Sequence, residues 1–217
     1  MISKLHYISQ PAADGLHITA IQNALDAGCK WIQLRVKDAK EADVLAYATE
    51  AVALCRPYGA KLIVNDYPEI AFKAGADGVH LGLEDMPISK AREIVGNNFI
   101  IGGTANTISH VLARITEGVD YIGLGPFRFT TTKKKLSPIL GVDGYTTIMN
   151  FIHDLGFKMP VIAIGGIETD DIPHIMRTGI YGVAISGAIT HAADRTSVVN
   201  SIHEYLDSAQ ITSTANL

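Results

Sequence analysis

Short apolar runs alternate with longer amphipathic stretches along the whole chain. Eight runs, Leu5–Ile8, Trp31–Leu34, Lys61–Val64, Gly78–Leu81, Phe99–Gly102, Tyr121–Leu124, Val161–Ile164 and Gly182–Ile185, have the length of buried strands. Between them the apolar spacing becomes helical, as in Glu41–Leu54, Ile108–Glu117, Gly144–Leu155, Asp170–Arg177 and Ser197–Leu206. A punctuation mark recurs. Gly28, Gly75, Gly118 and Gly179 each close an amphipathic stretch just before an apolar run, where a left-handed residue stops a helix. Such junctions occur throughout α/β proteins, but four of them, each interval holding a further strand–helix pair, describe a regular repeat.

Strands alternating with helices predict a parallel sheet with right-handed crossovers. Eight such units in 217 residues predict an α/β fold of the (β/α)8 TIM-barrel type, a single domain over residues 1–207. A doubly wound open sheet is the competing architecture, and no GxGxxG follows the first strand. Residues 208–217 turn polar and are expected to fray.

Composition narrows the partners. Apolar residues make up 47% of the chain, ample for a filled core. The net charge is -4, and no basic tract extends beyond Lys133-Lys134-Lys135, which argues against nucleic acid. No apolar run approaches the roughly 18 residues that cross a bilayer, and MISKLHYISQ lacks a signal-peptide core. Cys29 and Cys55 form no CxxC pair and read as reduced core thiols of a cytoplasmic protein. The sequence is silent on oligomeric state and leaves a homodimer open.

Candidate chemistry enters with WIQLRVKD, Trp31 to Asp38. In an extended chain Gln33, Arg35 and Lys37 share one face, rising toward the mouth of a barrel. Cations there call for anions, because an unpaired buried charge costs several kcal/mol. The other strand ends add Asn65 and Asp66, Asp85, Thr104, a loop with Thr130, Thr132 and Lys133, then Gly165-Gly166 and Ser186-Gly187. The glycine-rich ends of strands seven and eight sit where barrels commonly hold a phosphate, although a double glycine also suits a plain tight turn. Asp66 and Asp85 beside Arg35, Lys37 and Lys133 suit Mg2+ on a diphosphate; either carboxylate alone could be a helix cap. The threonine–lysine loop is a lid over phosphate oxygens or a solvated stretch. One monophosphate beside one metal-bound diphosphate suggests transfer, with diphosphate leaving as a phosphate-anchored substrate attacks. Lys61, at the opposite rim, and His80, within a strand, read as structural.

QLRVK, VNDYPEIAFKAGADGVHLGLED, DYIGLGPFRFTTTKKK and VIAIGGI, in this order and spacing, make the chain similar to the thiamine phosphate synthase family from about Leu5 to Ile189. The resemblance implies a TIM barrel in thiamine biosynthesis. It implies a Mg2+-dependent, dissociative condensation of hydroxymethylpyrimidine diphosphate with thiazole phosphate, releasing diphosphate. By resemblance Gln33, Arg35, Lys37 and Asn65 contact the pyrimidine diphosphate, and Asp66 and Asp85 hold Mg2+. Thr130 and Thr132 contact the thiazole phosphate, Lys133 the diphosphate, and Gly166 with Ser186-Gly187 the thiazole phosphate. Arg35, Lys37 and Lys133 are the catalytic candidates, and Thr104 completes the substrate-binding set. The chain departs from the family pattern where Gly102-Gly103-Thr104-Ala105-Asn106 replaces Gly-x-Ser-x-His, and at Leu83, Phe129 and Gly187. The related thiazole tautomerase branch, which uses that histidine as a base, is one alternative; a non-catalytic phosphate-binding barrel is another. An amide at Asn106 cannot act as a base near neutral pH, which disfavours the tautomerase.

Overall fold

Eight parallel strands close into a barrel in chain order. They are β1 (Leu5–Ile8), β2 (Trp31–Leu34), β3 (Lys61–Asn65), β4 (Gly78–Leu81), β5 (Ile100–Ala105), β6 (Tyr121–Leu124), β7 (Val161–Ala163) and β8 (Gly182–Ile185). Pairing of Leu5 with Val183 and His6 with Ala184 seals the ring. This computed structural model describes residues 1–129 and 138–214, with side chains through residue 208. The outer helices are α1 (His17–Asp26), α2 (Glu41–Cys55), α3 (Pro68–Ala74), α4 (Ile88–Val95), α5 (Ile108–Thr116), α6 (Gly141–Asp154), α7 (Ile172–Met176), α8 (Gly187–Thr190) and α9 (Arg195–Thr214).

The four punctuating glycines all adopt positive φ, at 107° for Gly28, 70° for Gly75, 74° for Gly118 and 87° for Gly179. Element boundaries moved where local chemistry overrode periodicity. Strand β5 runs to Ala105 rather than Gly102, so Thr104 lies in the strand and not after it. Helix α6 begins at Gly141, ahead of the expected Gly144. The stretch expected as one helix over Asp170–Arg177 is a 3-10 turn, Thr169–Asp171, followed by α7. Pro173 has no N–H to donate and fits only in the first turn of a new helix. The last helix reaches Thr214, into the stretch expected to fray.

Side-chain alternation divides each strand between two cores. Ile32 and Leu34 of β2 pack outward beneath the helices, as do Leu62 and Val64 of β3 and Ile122 and Leu124 of β6. Trp31, Ile63, Tyr121, Ile162 and Ala184 point inward and form a separate cluster in the ring. His6 joins it, its ring stacked on Trp31 at 4.5 Å and edge-on to Tyr121 at 5.1 Å. Space for these rings comes from glycine: a Cβ at Gly102 would lie 2.2 Å from the Tyr121 ring. Cys29 and Cys55 are buried free thiols, pushed up to about 12 by burial. Lys61 stays at the opposite rim in an ion pair of 3.4 Å with Asp77.

One buried cation positions the site from behind. Arg114 of α5 donates from Nε to the Thr104 carbonyl (3.1 Å), from Nη2 to the Gly82 carbonyl (2.9 Å) and from Nη1 to Glu117 (2.6 Å). It thereby ties the end of β5 to the turn after β4. Replacing Arg114 by Met leaves two carbonyls without their donor. Chemical denaturation of Arg114→Met should show a loss of about 2–4 kcal/mol; an unchanged midpoint would mean water replaces the guanidinium without cost.

Candidate active site

The inward positions nearest the C-terminal ends of the strands line a cavity of about 310 Å³. Gln33, the last inward residue of β2, is buried and donates to Asn65 Oδ1 at the end of β3 (3.3 Å). Of the three residues expected to climb one strand face, only Gln33 is in the strand, because β2 ends at Leu34. Arg35 follows on the loop and lines the cavity, its amide held by Ser9 Oγ at 3.1 Å. Burial pulls the Arg35 guanidinium below its ordinary value, while Asp66 pushes the other way. Lys37 reaches across to Asp66 at 3.2 Å.

Asp66 holds a left-handed backbone, φ 72°, which costs a non-glycine residue about 1–2 kcal/mol. Its amide donates to the His80 carbonyl (2.9 Å), anchoring this turn on β4. Asp85, on the turn after β4, accepts from the Gly82 amide at 2.5 Å. Its carboxyl is raised above the ordinary range by burial first and then by a hydrogen bond with Asp66. The two carboxyl groups therefore sit on one rim, near enough for each to feel the other's charge.

Acids this close favour a proton or a cation between them. Two hard oxygen donors fit Mg2+, which takes one or two carboxylates and completes its shell with water and phosphate oxygens. Among the described residues no group of three or more His, Cys, Asp or Glu forms a fuller set.

Across the cavity, the wall is backbone. The carbonyl of Ile164 accepts from the Phe127 amide (2.9 Å), and that of Gly165 from the Arg128 amide (3.1 Å). In a planar trans peptide the C=O and the next N–H point in opposite directions. The amides of Gly165 and Gly166 are therefore turned away from the 127–128 segment, and both residues line the cavity. Neither amide donates to an acceptor among the described residues. The same holds for the amides of Ser186, Gly187 and Ala188 at the facing turn after β8. Unpaired N–H groups on two turns that line one space suit an anion. The Ser186 hydroxyl is committed elsewhere, donating to the Ile8 carbonyl at 2.7 Å, so this residue can offer its amide but not its Oγ–H.

His80 is buried within β4, as expected of a packed barrel residue, with the Tyr121 ring 5.5 Å away. It lines the cavity and bridges Tyr121 Oη through Nδ1 (3.0 Å) and Thr104 Oγ1 through Nε2 (3.0 Å). The bridge fixes the Thr104 hydroxyl, which also lines the cavity. Asn106, at the family's histidine position, is buried and donates to the Gly125 carbonyl; it is absent from the cavity wall. His6, on the cavity floor, is pushed down to about 3 by burial and stays neutral. Sequence reading missed His6, His80 and Tyr121 as cavity residues. An apolar run with one polar residue carries no mark of which way that residue points. Thr130, Thr132 and Lys133 lie outside the described residues. Leu83 and Phe129 are exposed.

A family profile described as thiamine monophosphate synthase matches residues 5–189. A thiamine-phosphate synthase from Bacteroides fragilis is 50% identical over 190 residues, 88% of this chain and 93% of that one. Another, from Flavobacterium psychrophilum, is 46% identical over 206 residues, 95% and 100% of the two chains. The solved structure of a thiamine phosphate pyrophosphorylase from Pyrococcus furiosus superposes with a TM-score of 0.81 at 30% identity, covering 95% of this chain and 96% of the other. With the match spanning the barrel and its strand-end motifs, the chain belongs to the thiamine monophosphate synthase family.

Proposed function

We propose that this chain joins hydroxymethylpyrimidine diphosphate to thiazole phosphate, giving thiamine phosphate and diphosphate. The observation that carries the reading is the pairing of Asp66 with Asp85 beside Lys37, next to a cavity lined by Arg35 and by the backbone turns at Gly165-Gly166 and Ser186-Gly187. Asp66 and Asp85 would hold Mg2+, which when bound neutralises charge on the diphosphate. Arg35 and Lys37 would receive the remaining diphosphate oxygens, gaining strength as the C–O bond breaks and charge collects there. Well-aimed donors of this kind contribute about 3–4 kcal/mol each to a transition state.

Gln33, Asn65 and Thr104 would hold the pyrimidine ring, Thr104 with its hydroxyl set by His80. Gly165, Gly166 and the turn at Ser186-Gly187 would seat the thiazole phosphate, holding the ring nitrogen against the electron-poor carbon. Ile162, Ile164 and Tyr121 would exclude water, so that nitrogen and not solvent captures that carbon. Neutral His6 adds no positive charge beneath it. Thr130, Thr132 and Lys133 complete the reading as phosphate contacts. A cytoplasmic setting belongs to the same proposal, supported by the two buried free thiols.

The tautomerase alternative needs a base in the cavity from strand five. Asn106 is an amide turned onto the Gly125 carbonyl, and that tells against it.

Incubation with both substrates and Mg2+ should give thiamine phosphate and diphosphate in equal amounts, and chelation should stop it. Product formed from the thiazole alone would favour the isomerase. Arg35→Ala and Asp66→Asn should each lower turnover about a hundredfold or more while thiazole phosphate still binds. Asn tolerates the left-handed backbone at 66, so that variant tests charge and not folding. Near-normal turnover in either would sink the assignment.

Asp85 gives a pH-dependent check. A carboxyl whose folded value is raised binds its proton more tightly folded than unfolded, so stability falls as pH rises through that window. Above the window the metal-free wild type bears the full cost of ionising Asp85 next to Asp66. Asp85→Asn should therefore melt at the same or higher temperature than metal-free wild type at pH 7, yet lose turnover. The melting difference should close as pH falls through the raised value toward the ordinary carboxylate value; a variant that melts lower at pH 7 contradicts the account.

A further inference from the structure

Arg128 lies outside the cavity wall, yet it grips the part of that wall made of backbone. Its Nη1 donates to the Gly166 carbonyl (2.9 Å) and its Nη2 to Asp171 Oδ1 (2.7 Å), with the Phe127 ring 5.1 Å away. The other Asp171 oxygen accepts from the Glu168 amide at 2.8 Å. Together with the bonds from the Phe127 and Arg128 amides, the carbonyls of Ile164, Gly165 and Gly166 are all held by one short segment. By peptide planarity the Ile167 amide joins those of Gly165 and Gly166 in pointing the opposite way. Arg128 also packs directly on this turn: a Cβ at Gly166, where φ is 69°, would meet Arg128 Cγ at 2.6 Å.

We propose that Arg128 is a positioning residue for the phosphate seat, its guanidinium and Asp171 locking the Gly165–Ile167 peptides with their amides toward the cavity. This rests on the reading of that turn as the seat of the thiazole phosphate. Magnitude separates the role from simple stabilisation. The side chain of Arg128 is 44% exposed, and an ion pair so exposed contributes little to folding. A rigid fork that spans two acceptors, however, fixes a peptide orientation that solvent would otherwise leave free. Lysine, a single mobile point charge, cannot serve both acceptors in one geometry.

The test is calorimetric titration of 4-methyl-5-(2-phosphoethyl)thiazole into wild type, Arg128→Met, Arg128→Lys and Asp171→Asn, paired with steady-state kinetics. Arg128→Met should weaken binding about tenfold, the equivalent of one charge-assisted hydrogen bond. It should raise KM for the thiazole phosphate far more than KM for the pyrimidine diphosphate. Arg128→Lys should remain weak, and adding Asp171→Asn to Arg128→Met should cost little more, since both break one clamp. Equal binding by wild type and Arg128→Met would overturn the clamp, as would full rescue by lysine. Parallel increases in both KM values with a lower melting temperature would mark a general structural role and overturn it too. If wild type itself does not bind the thiazole phosphate, the seat reading falls, and the clamp with it.

Discussion

The mouth of this barrel is organised around the interaction between two carboxyl groups, those of Asp66 and Asp85. Asp66 and Asp85 come from different turns, and each is fixed by backbone. The first sits in a left-handed conformation anchored on β4, and the second is pinned by the Gly82 amide. Behind them the buried Arg114 holds the Gly82 carbonyl. Such a pair is unfavourable alone, since burial and mutual repulsion both oppose ionising Asp85. Such a pair favours a proton or a cation between its oxygens, and Lys37 meets Asp66 from one side.

How much of this could be read in advance depended on the kind of signal. The strands and the four helix-ending glycines were legible because length, period and positive φ leave marks in sequence. The placement of Gln33, Asn65, Asp66 and Asp85 at the mouth was legible because they follow or end strands whose C-terminal ends share one rim. His80 and Tyr121 were not. Both sit in apolar runs, and only the register of a closed barrel turns them inward together. Arg114 was invisible for the opposite reason: on an amphipathic helix an arginine reads as a solvated face. Its burial depends on Gly103, where a Cβ would lie 2.6 Å from the Arg114 side chain.

The floor of the cavity balances the rim. His6, Trp31 and Tyr121 pack ring to ring, and burial keeps the His6 imidazole neutral. The carboxyl groups of Asp66 and Asp85 and the cations Arg35 and Lys37 stand at the mouth. In a low-dielectric interior this separation matters, because donors at the rim act on a leaving anion most strongly where water does not screen them. A protonated imidazole below would oppose the positive carbon that the proposed reaction passes through.

The two proposed anion seats differ in kind, and the difference fits a division of labour. Side chains with mobile charges would face the diphosphate, whose charge would grow as the bond breaks. Fixed backbone amides would face the thiazole phosphate, whose charge would not change during the reaction. Interactions that are equal in ground and transition state anchor a substrate without accelerating chemistry, whereas those that strengthen with developing charge lower the barrier. A seat of the first kind gains from rigidity alone. That is why its glycines are immobilised by carbonyl bonds to Phe127 and Arg128 and left with their amides unspent.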